Sequence, residues 1–158
     1  MFTTALPDHI VRLREIDLFA NCTVRELRRI DGLATSATVA SGRVLCRRGE
    51  IGRECFVLLD GHADIDVDGH HYTVGRGALV GEIALLTQGG RRIATVTALT
   101  DITVLTFTRT EFTQLMTAIP STAHKILRAA TQRLVEDIEP AGHIGATIPS
   151  AAGHDVQL

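Results

Sequence analysis

The chain has 158 residues, the size of a single domain with a proper core, which leaves no room for a separate catalytic or DNA-reading domain. Charged residues are 22% and hydrophobic residues 45% of the total, and no apolar run approaches the roughly 20 residues of a membrane-spanning helix, so we expect a soluble globular chain. A net charge of −2 without a one-sided basic patch argues against a nucleic-acid partner.

The start of the chain and its cysteines indicate the compartment. Residues 1–14 have neither the basic start nor the apolar stretch of a secretory signal, so we expect a cytoplasmic protein. Three cysteines occur, without C-x-x-C spacing: Cys22, Cys46 and Cys55. An odd number without that spacing argues against both a disulfide framework and a zinc site.

The first 35 residues are predicted to form two short helices with a break near residues 19–22. An apolar stripe supports the first helix: Ile10, Leu13, Ile16 and Leu18. The second is predicted to begin at Thr23, because Thr23 and Glu26 have the spacing of a capping box.

From residue 39 to residue 107 the pattern changes to short apolar runs separated by glycine turns, which is typical of an all-β roll or sandwich. Between residues 63 and 68, apolar residues alternate with Asp64, Asp66 and Asp68, so we expect a strand with one dry face and a solvated row of carboxylates. Asp68 and Gly69 then predict a hairpin turn.

Helical signals return at Thr108, where Thr108 and Glu111 form a second capping box. Pro120 and Ser121 open a longer helix, and Pro140 ends it. Its apolar stripe recurs at steps of three and four: Ala123, Ile126, Leu127, Ala130, Leu134 and Ile138. Residues 141–158 lack periodicity and are predicted to be a flexible tail, so the folded domain is predicted to span residues 1–140.

Residues 80–96 carry the chemistry. Gly81 and Glu82 precede one apolar helical turn, and a Gly-Gly loop then leads to Arg92 at the start of a strand. The unpaired N–H groups of a short helix can bind an anion, and an adjacent Arg can complete a phosphate site. A carboxylate beside a phosphate is sensible if it accepts a hydrogen bond from a sugar hydroxyl of the same ligand.

This segment resembles the phosphate-binding cassette of cyclic nucleotide-binding domains, which occur in catabolite-activator-type regulators, regulatory subunits of cyclic-AMP-dependent protein kinase and cyclic-nucleotide-gated channels. The resemblance covers roughly residues 13–138 and extends to further positions: Leu18, Phe19, Gly42, Leu45, Gly49, Glu50, Phe56, Val57, Gly61 and Gly77. It implies a mainly β fold, a β-roll or jelly roll (double-stranded β-helix) with N-terminal helices and two C-terminal helices.

The resemblance also implies roles for single residues. Gly81 would let the backbone approach the ligand, and Glu82 would accept the ribose 2′-OH. Arg92 would bind the exocyclic phosphate oxygens, together with backbone amides near Ile83 and Ala84. From single residues alone, Glu82 could instead be a helix-capping carboxylate, and Arg92 could be a surface side chain lying over the sheet.

The sequence departs from the family pattern beside Arg92. Ile93 stands where the family often has Ser or Thr and can donate no hydroxyl to the ligand, which favours cyclic AMP over cyclic GMP. Ile93 and Ala94 complete the candidate ligand-binding set. Arg91 replaces a common Pro and is either a second phosphate contact or a solvated side chain.

The C-terminal helix is a candidate lid. In the resembled family it closes over the base or pairs with a second subunit, so a homodimer through this helix is possible, and a static packed helix is the alternative. Its polar side offers candidates for contact with the base: Thr131, Arg133, Glu136 and Asp137.

Other chemistry finds little support. His70 and His71 are adjacent on a predicted strand, so they point to opposite faces and cannot chelate one metal ion as in cupins. No catalytic constellation is evident, and we expect neither enzymatic activity nor a metal or cofactor.

We predict a sensor of cyclic nucleotide, cyclic AMP in preference to cyclic GMP, that acts on a separate effector protein, with no DNA or membrane partner. The alternatives are a β-roll with weak or lost nucleotide binding that serves as a protein-interaction module and, more distantly, a cupin-like metalloenzyme.

Overall fold

The computed structural model describes residues 5–138, with the side chains of residues 5–135. The predicted tail, residues 141–158, lies outside this range. The helices are α1 (Asp8–Arg14), α2 (Val24–Leu33), α3 (Ile83–Leu86), α4 (Arg109–Ala118) and α5 (Pro120–Ile138), with a 3₁₀ turn at Asp17–Phe19. The strands are β1 (Thr35–Val39), β2 (Val44–Cys46), β3 (Glu54–Asp60), β4 (Ala63–Val67), β5 (His70–Val74), β6 (Leu79–Val80), β7 (Thr95–Ala98) and β8 (Ile102–Thr108).

The strands form two antiparallel four-stranded sheets that pack face to face. One has the order β1-β8-β3-β6, and the other has the order β2-β7-β4-β5. The predicted β-roll with flanking helices is confirmed. Both predicted capping boxes are also present, because Thr23 and Thr108 each accept from the backbone N–H three residues on, and the Glu at that position accepts in return.

The central strand β3 is buried on both faces, which explains why its sequence is a continuous apolar run. Cys55 and Val57 pack on the helices, whereas Phe56 and Leu58 pack between the sheets. The helices therefore cover one sheet directly. α4 packs on β3 and β8, and Arg133 of α5 donates to Leu79 O of β6 and to Glu82 in the segment that follows it.

The burial of α5 differs from the predicted stripe. Leu127 is 49% exposed, whereas Thr122 and Arg133 are buried together with Ile126 and Ala130. The buried face is thus rotated from the one that apolar periodicity indicated, because two polar residues of α5 find hydrogen-bond partners in the interior.

The described residues contain no helix that is long and apolar enough to cross a membrane. All three cysteines are buried free thiols. Within residues 5–135, no group of three or more metal-ligating side chains comes together.

The β4–β5 hairpin turns at Asp68 and Gly69, both with positive φ, as predicted. On its exposed face, Nδ1 of His71 lies 2.9 Å from Oδ2 of Asp64, and this hydrogen bond, with the charges of Asp64 and Asp66, raises the pKa of His71. Two carboxylates of the predicted solvated row, those of Asp64 and Asp66, therefore contact the imidazole of His71.

The His71 contact predicts a pH dependence. A raised folded-state pKa gives a contribution to stability that is complete below pH 6.5, the ordinary value, and is lost as the pH rises through the folded-state pKa. Melting temperatures between about pH 5 and about pH 8 should show this small loss in the wild type and lack it in Asp64→Asn. His70→Gln is the matched control and should keep the wild-type pH profile; an Asp64→Asn profile equal to wild type would contradict the assignment.

Candidate functional site

The cassette joins β6 to β7. Gly81 follows β6 directly with a φ of +87°, Glu82 precedes α3, and Arg92 comes three residues before β7. The loop is fixed to the segment between β2 and β3 by backbone hydrogen bonds, from Gly49 N to Arg92 O (2.9 Å) and from Arg92 N to Glu50 O (2.8 Å). These pairings hold Arg92 beside α3.

Arg92 lies inside the protein, with only 8% of its surface exposed. Its Nη1 donates to Glu54 O at 2.8 Å and to Gly81 O at 3.0 Å. It is therefore not the surface arginine that the alternative interpretation required. None of the ion pairs among residues 5–135 includes Arg92, so its charge is buried without an anionic partner from the described chain. Such a group usually has a counter-ion, because burial of an unpaired charge is costly.

The guanidinium of Arg92 occupies the space that a side chain at position 81 would fill. A Cβ at Gly81 would lie 2.6 Å from Arg92 Nη1 and 3.2 Å from Glu54 O. The close approach to Gly81 in this structure is made by the guanidinium of Arg92. That Gly81 lets the backbone approach a ligand stays a prediction.

We expect Gly81→Ala to lower the free energy of unfolding more than Gly89→Ala. Both residues have positive φ, which costs about 1 to 2 kcal/mol for alanine, but a Cβ at Gly89 would meet nothing within 4 Å. The crowding of Arg92 should add about 1 to 3 kcal/mol at Gly81. Urea unfolding of the two variants measures the difference, and equal losses would show that Arg92 moves aside without cost.

Glu82 is one of the least exposed side chains, at 1%. It makes no side-chain cap on α3, so the capping interpretation is wrong. Its Oε1 accepts from Nη1 of Arg133 on α5 at 3.1 Å, and Nη2 of Arg133 donates to Leu79 O at 3.3 Å. Burial raises the pKa of Glu82, and Arg133 opposes that rise.

Of the four candidate base contacts on α5, Arg133 reaches the cassette. Its Nε is buried without a hydrogen-bond partner among the described residues. Thr131 does not face the cassette: its hydroxyl donates to Leu127 O on its own helix at 2.8 Å, and the residue is exposed. The side chains of Glu136 and Asp137 lie outside the described residues.

The remaining predicted residues lie around a small cavity. Ile83 and Ala84 are buried, Ile93 and Ala94 are half-buried, and all four line the cavity together with Arg92 and Arg133. Its volume is about 20 Å³, which is room for about one water molecule. Glu82 borders a second cavity of about 450 Å³ between α5 and residues 15–18, so the Glu82–Arg133 pair lies between the two.

Arg91 is exposed, and its Nη1 donates to Gly49 O at 2.7 Å. It therefore supports the loop that carries Arg92 from outside the cavity.

Sequence reasoning missed several residues of the site. Gly52 lies under the guanidinium, because a Cβ there would be 2.6 Å from Ala84 Cβ and 2.8 Å from Arg92 Cζ. Cys46, Val67 and Tyr72 line the small cavity from the second sheet. The alternation along β4 placed Val67 on an inward face, and the same alternation along β5 could have placed Tyr72 there. Nothing in the sequence indicated that this face meets the cassette.

The fold and the cassette are those of a ligand-binding domain. The family described as cyclic nucleotide-binding domain matches residues 37–118, more than half of the chain, and the protein belongs to this family.

Relatives of known function agree with this assignment. A cyclic nucleotide-gated potassium channel of Rhizobium etli is 34% identical over 95 residues, which are 60% of this chain and 26% of the channel. The human cyclic nucleotide-gated channel beta-3 is 27% identical over 124 residues, 75% of this chain and 15% of the channel. The chain thus spans about a quarter or less of these relatives.

Solved structures are similar over most of the chain. The cAMP-bound PfPKA-R is 25% identical, with a TM-score of 0.70 over 82% of this chain and 46% of the other. The catabolite activator protein of Thermus thermophilus is 25% identical, with a TM-score of 0.65 over 77% of this chain and 60% of the other.

Proposed function

We propose that the domain binds a 3′,5′-cyclic nucleotide, cyclic AMP in preference to cyclic GMP, with the phosphate on Arg92. The buried, unpaired charge of Arg92 is the observation that supports this most strongly. A cyclic phosphate carries one negative charge and accepts charge-assisted hydrogen bonds. Nη1 is held by two carbonyls, so Nη2 and Nε are the donors that would meet the phosphate oxygens.

The preference for cyclic AMP rests on Ile93. An isoleucine beside the phosphate arginine offers no hydroxyl to a guanine amino group, whereas a Ser or Thr at this position would offer one. Its half-buried side chain lines the cavity and gives an apolar wall instead.

The ribose subsite is proposed at Glu82, whose Oε1 would accept the 2′-OH. In the described conformation Arg133 already donates to this oxygen. The cavity beside Arg92 has a volume of about 20 Å³, far smaller than a nucleotide, so we expect the site to widen on binding and the ribose to compete with Arg133 for Glu82. Release of Arg133 would break the hydrogen bond that joins α5 to Glu82 of the cassette, and ligand binding would thereby change the position of that helix.

The recipient of the signal is proposed to be a separate effector or a second copy of the chain. The outer face of α5 presents Leu127 and Val135, exposed by 49% and 53%. Apolar side chains at this spacing on one helix favour a protein partner.

A second function is a β-roll that no longer binds nucleotide and serves as an interaction module. The pairing of Glu82 with Arg133 favours it, because this contact satisfies the carboxylate within the chain. Nucleotide titration separates the two, since the module would give no binding.

The ribose assignment is tested with Glu82→Gln and 2′-deoxy cyclic AMP. Removing the hydroxyl and replacing the carboxylate delete the same hydrogen bond, so their effects on affinity should not add. We expect Glu82→Gln to weaken binding of cyclic AMP by about 10-fold and that of the 2′-deoxy form by much less. Calorimetry measures all four affinities, and independent losses would contradict the ribose contact at Glu82.

A further inference from the structure

Arg109, the first residue of α4, contacts three backbone carbonyls from two segments of the cassette region. Its Nη1 lies 3.4 Å from Leu85 O, and its Nη2 lies 3.2 Å from Gly52 O and 3.4 Å from Ala84 O. Leu85 and Ala84 belong to α3, and Gly52 precedes β3. One guanidinium thus joins α3 to the loop under Arg92.

These carbonyls need an outside donor. α3 has only four residues, so its last carbonyls lack intrahelical partners, and so short a helix is not stable without external contacts. The carbonyl of Ile83 accepts hydrogen bonds from the backbone N and the Oγ1 of Thr87. The carbonyls of Ala84 and Leu85 accept from the guanidinium of Arg109.

Gly90 makes room for this contact. A Cβ at Gly90 would lie 3.1 Å from Arg109 Nη2 and 3.2 Å from Ala84 O. The same glycine accepts a hydrogen bond from Gly52 N at 2.7 Å, so the guanidinium lies where the two loops meet. The backbone N–H of Arg109 donates to Arg53 O at 3.1 Å, which fixes the start of α4 to the same loop.

We infer that Arg109 is a positioning residue for nucleotide binding: it fixes the direction of α3 relative to Arg92. This inference rests on the proposed function. Arg109 lines neither cavity beside the cassette, so it acts through α3 and not by touching the ligand. If α3 turns, the backbone amides at its start and the guanidinium of Arg92 no longer point to one phosphate.

The test compares Arg109→Ala and Arg109→Lys with Arg28→Ala, which removes an exposed arginine of α2. Amide hydrogen exchange is followed at Leu85, Leu86 and Thr87, whose N–H groups bond the first carbonyls of the α3 turn. Affinities are measured for the Sp and Rp diastereomers of adenosine 3′,5′-cyclic phosphorothioate. Their ratio reports on phosphate alignment, which a general loss of stability would leave unchanged.

We expect Arg109→Ala to speed exchange at these amides by about 10-fold, to weaken the better diastereomer by about 10-fold, and to bring the Sp/Rp ratio closer to one. Arg109→Lys should be intermediate, because lysine keeps the charge without the planar fork. It also keeps the test decisive if the alanine variant fails to fold.

Unchanged exchange, or faster exchange with an unchanged diastereomer ratio, would overturn the positioning role while the wild type still binds. Failure of the wild type to bind either diastereomer would overturn the proposed function itself, and the inference with it.

Discussion

Replacement of Arg92 by glutamine is expected to weaken cyclic AMP binding by about 2 to 5 kcal/mol, or about 30- to 4,000-fold. The reason is that the phosphate charge would be desolvated in a pocket without its counter-ion. Among the described residues no other cation lines this cavity except Arg133, which is committed to Glu82. Calorimetric titration of the wild type and the variant measures the loss.

Arg47→Gln is the matched control for Arg92→Gln, because Arg47 follows β2 on the surface. Urea unfolding of both variants separates loss of the site from loss of the fold, since Arg92 also holds Glu54 O and Gly81 O. A folded Arg92→Gln protein with wild-type affinity would contradict the phosphate assignment.

Replacement of Arg133 by glutamine is expected to do two things at once. It should lower the free energy of unfolding by about 3 kcal/mol, because a buried carboxylate at Glu82 loses its partner. It should also tighten cyclic AMP binding by about 10-fold or more, because the ribose no longer competes with an internal donor. Urea unfolding and calorimetry give the two numbers.

Arg128→Gln is the matched control on the exposed side of α5 and should change neither quantity appreciably. A loss of affinity in Arg133→Gln would mean that Arg133 contacts the bound nucleotide and does not compete with it. Unchanged stability would mean that the Glu82–Arg133 pair contributes no net free energy.

Local signals predicted the framework well. Two capping boxes and one hairpin turn were predicted correctly, at Thr23, Thr108 and Asp68. Each depends on residues within a few positions of one another, so the sequence pattern alone predicts the local structure. Residues 80–96 combine glycines, a carboxylate and an arginine within one loop, and the family resemblance that selected the candidate site depends on this one segment.

Long-range contacts decided the rest. Periodicity placed Arg133 on the polar side of α5, but the residue is buried because it pairs with Glu82, which is itself buried. The two residues are 51 positions apart, so the helical pattern of α5 does not reveal the pair. Gly52 precedes β3 and Arg109 follows β8, and both lie beside α3 because β3 and β8 pair in antiparallel register. No pattern within one element contains that information.

Calorimetric titration of the purified chain with cyclic AMP tests the central claim most directly. The buried charge of Arg92 and the family cassette predict saturable binding of one nucleotide per chain. The apolar side chain of Ile93 predicts that this binding is tighter for cyclic AMP than for cyclic GMP. A folded protein that gives no binding heat with either nucleotide at about millimolar concentration would contradict it, because a site that does not bind at this level has less than about 4 kcal/mol of binding free energy.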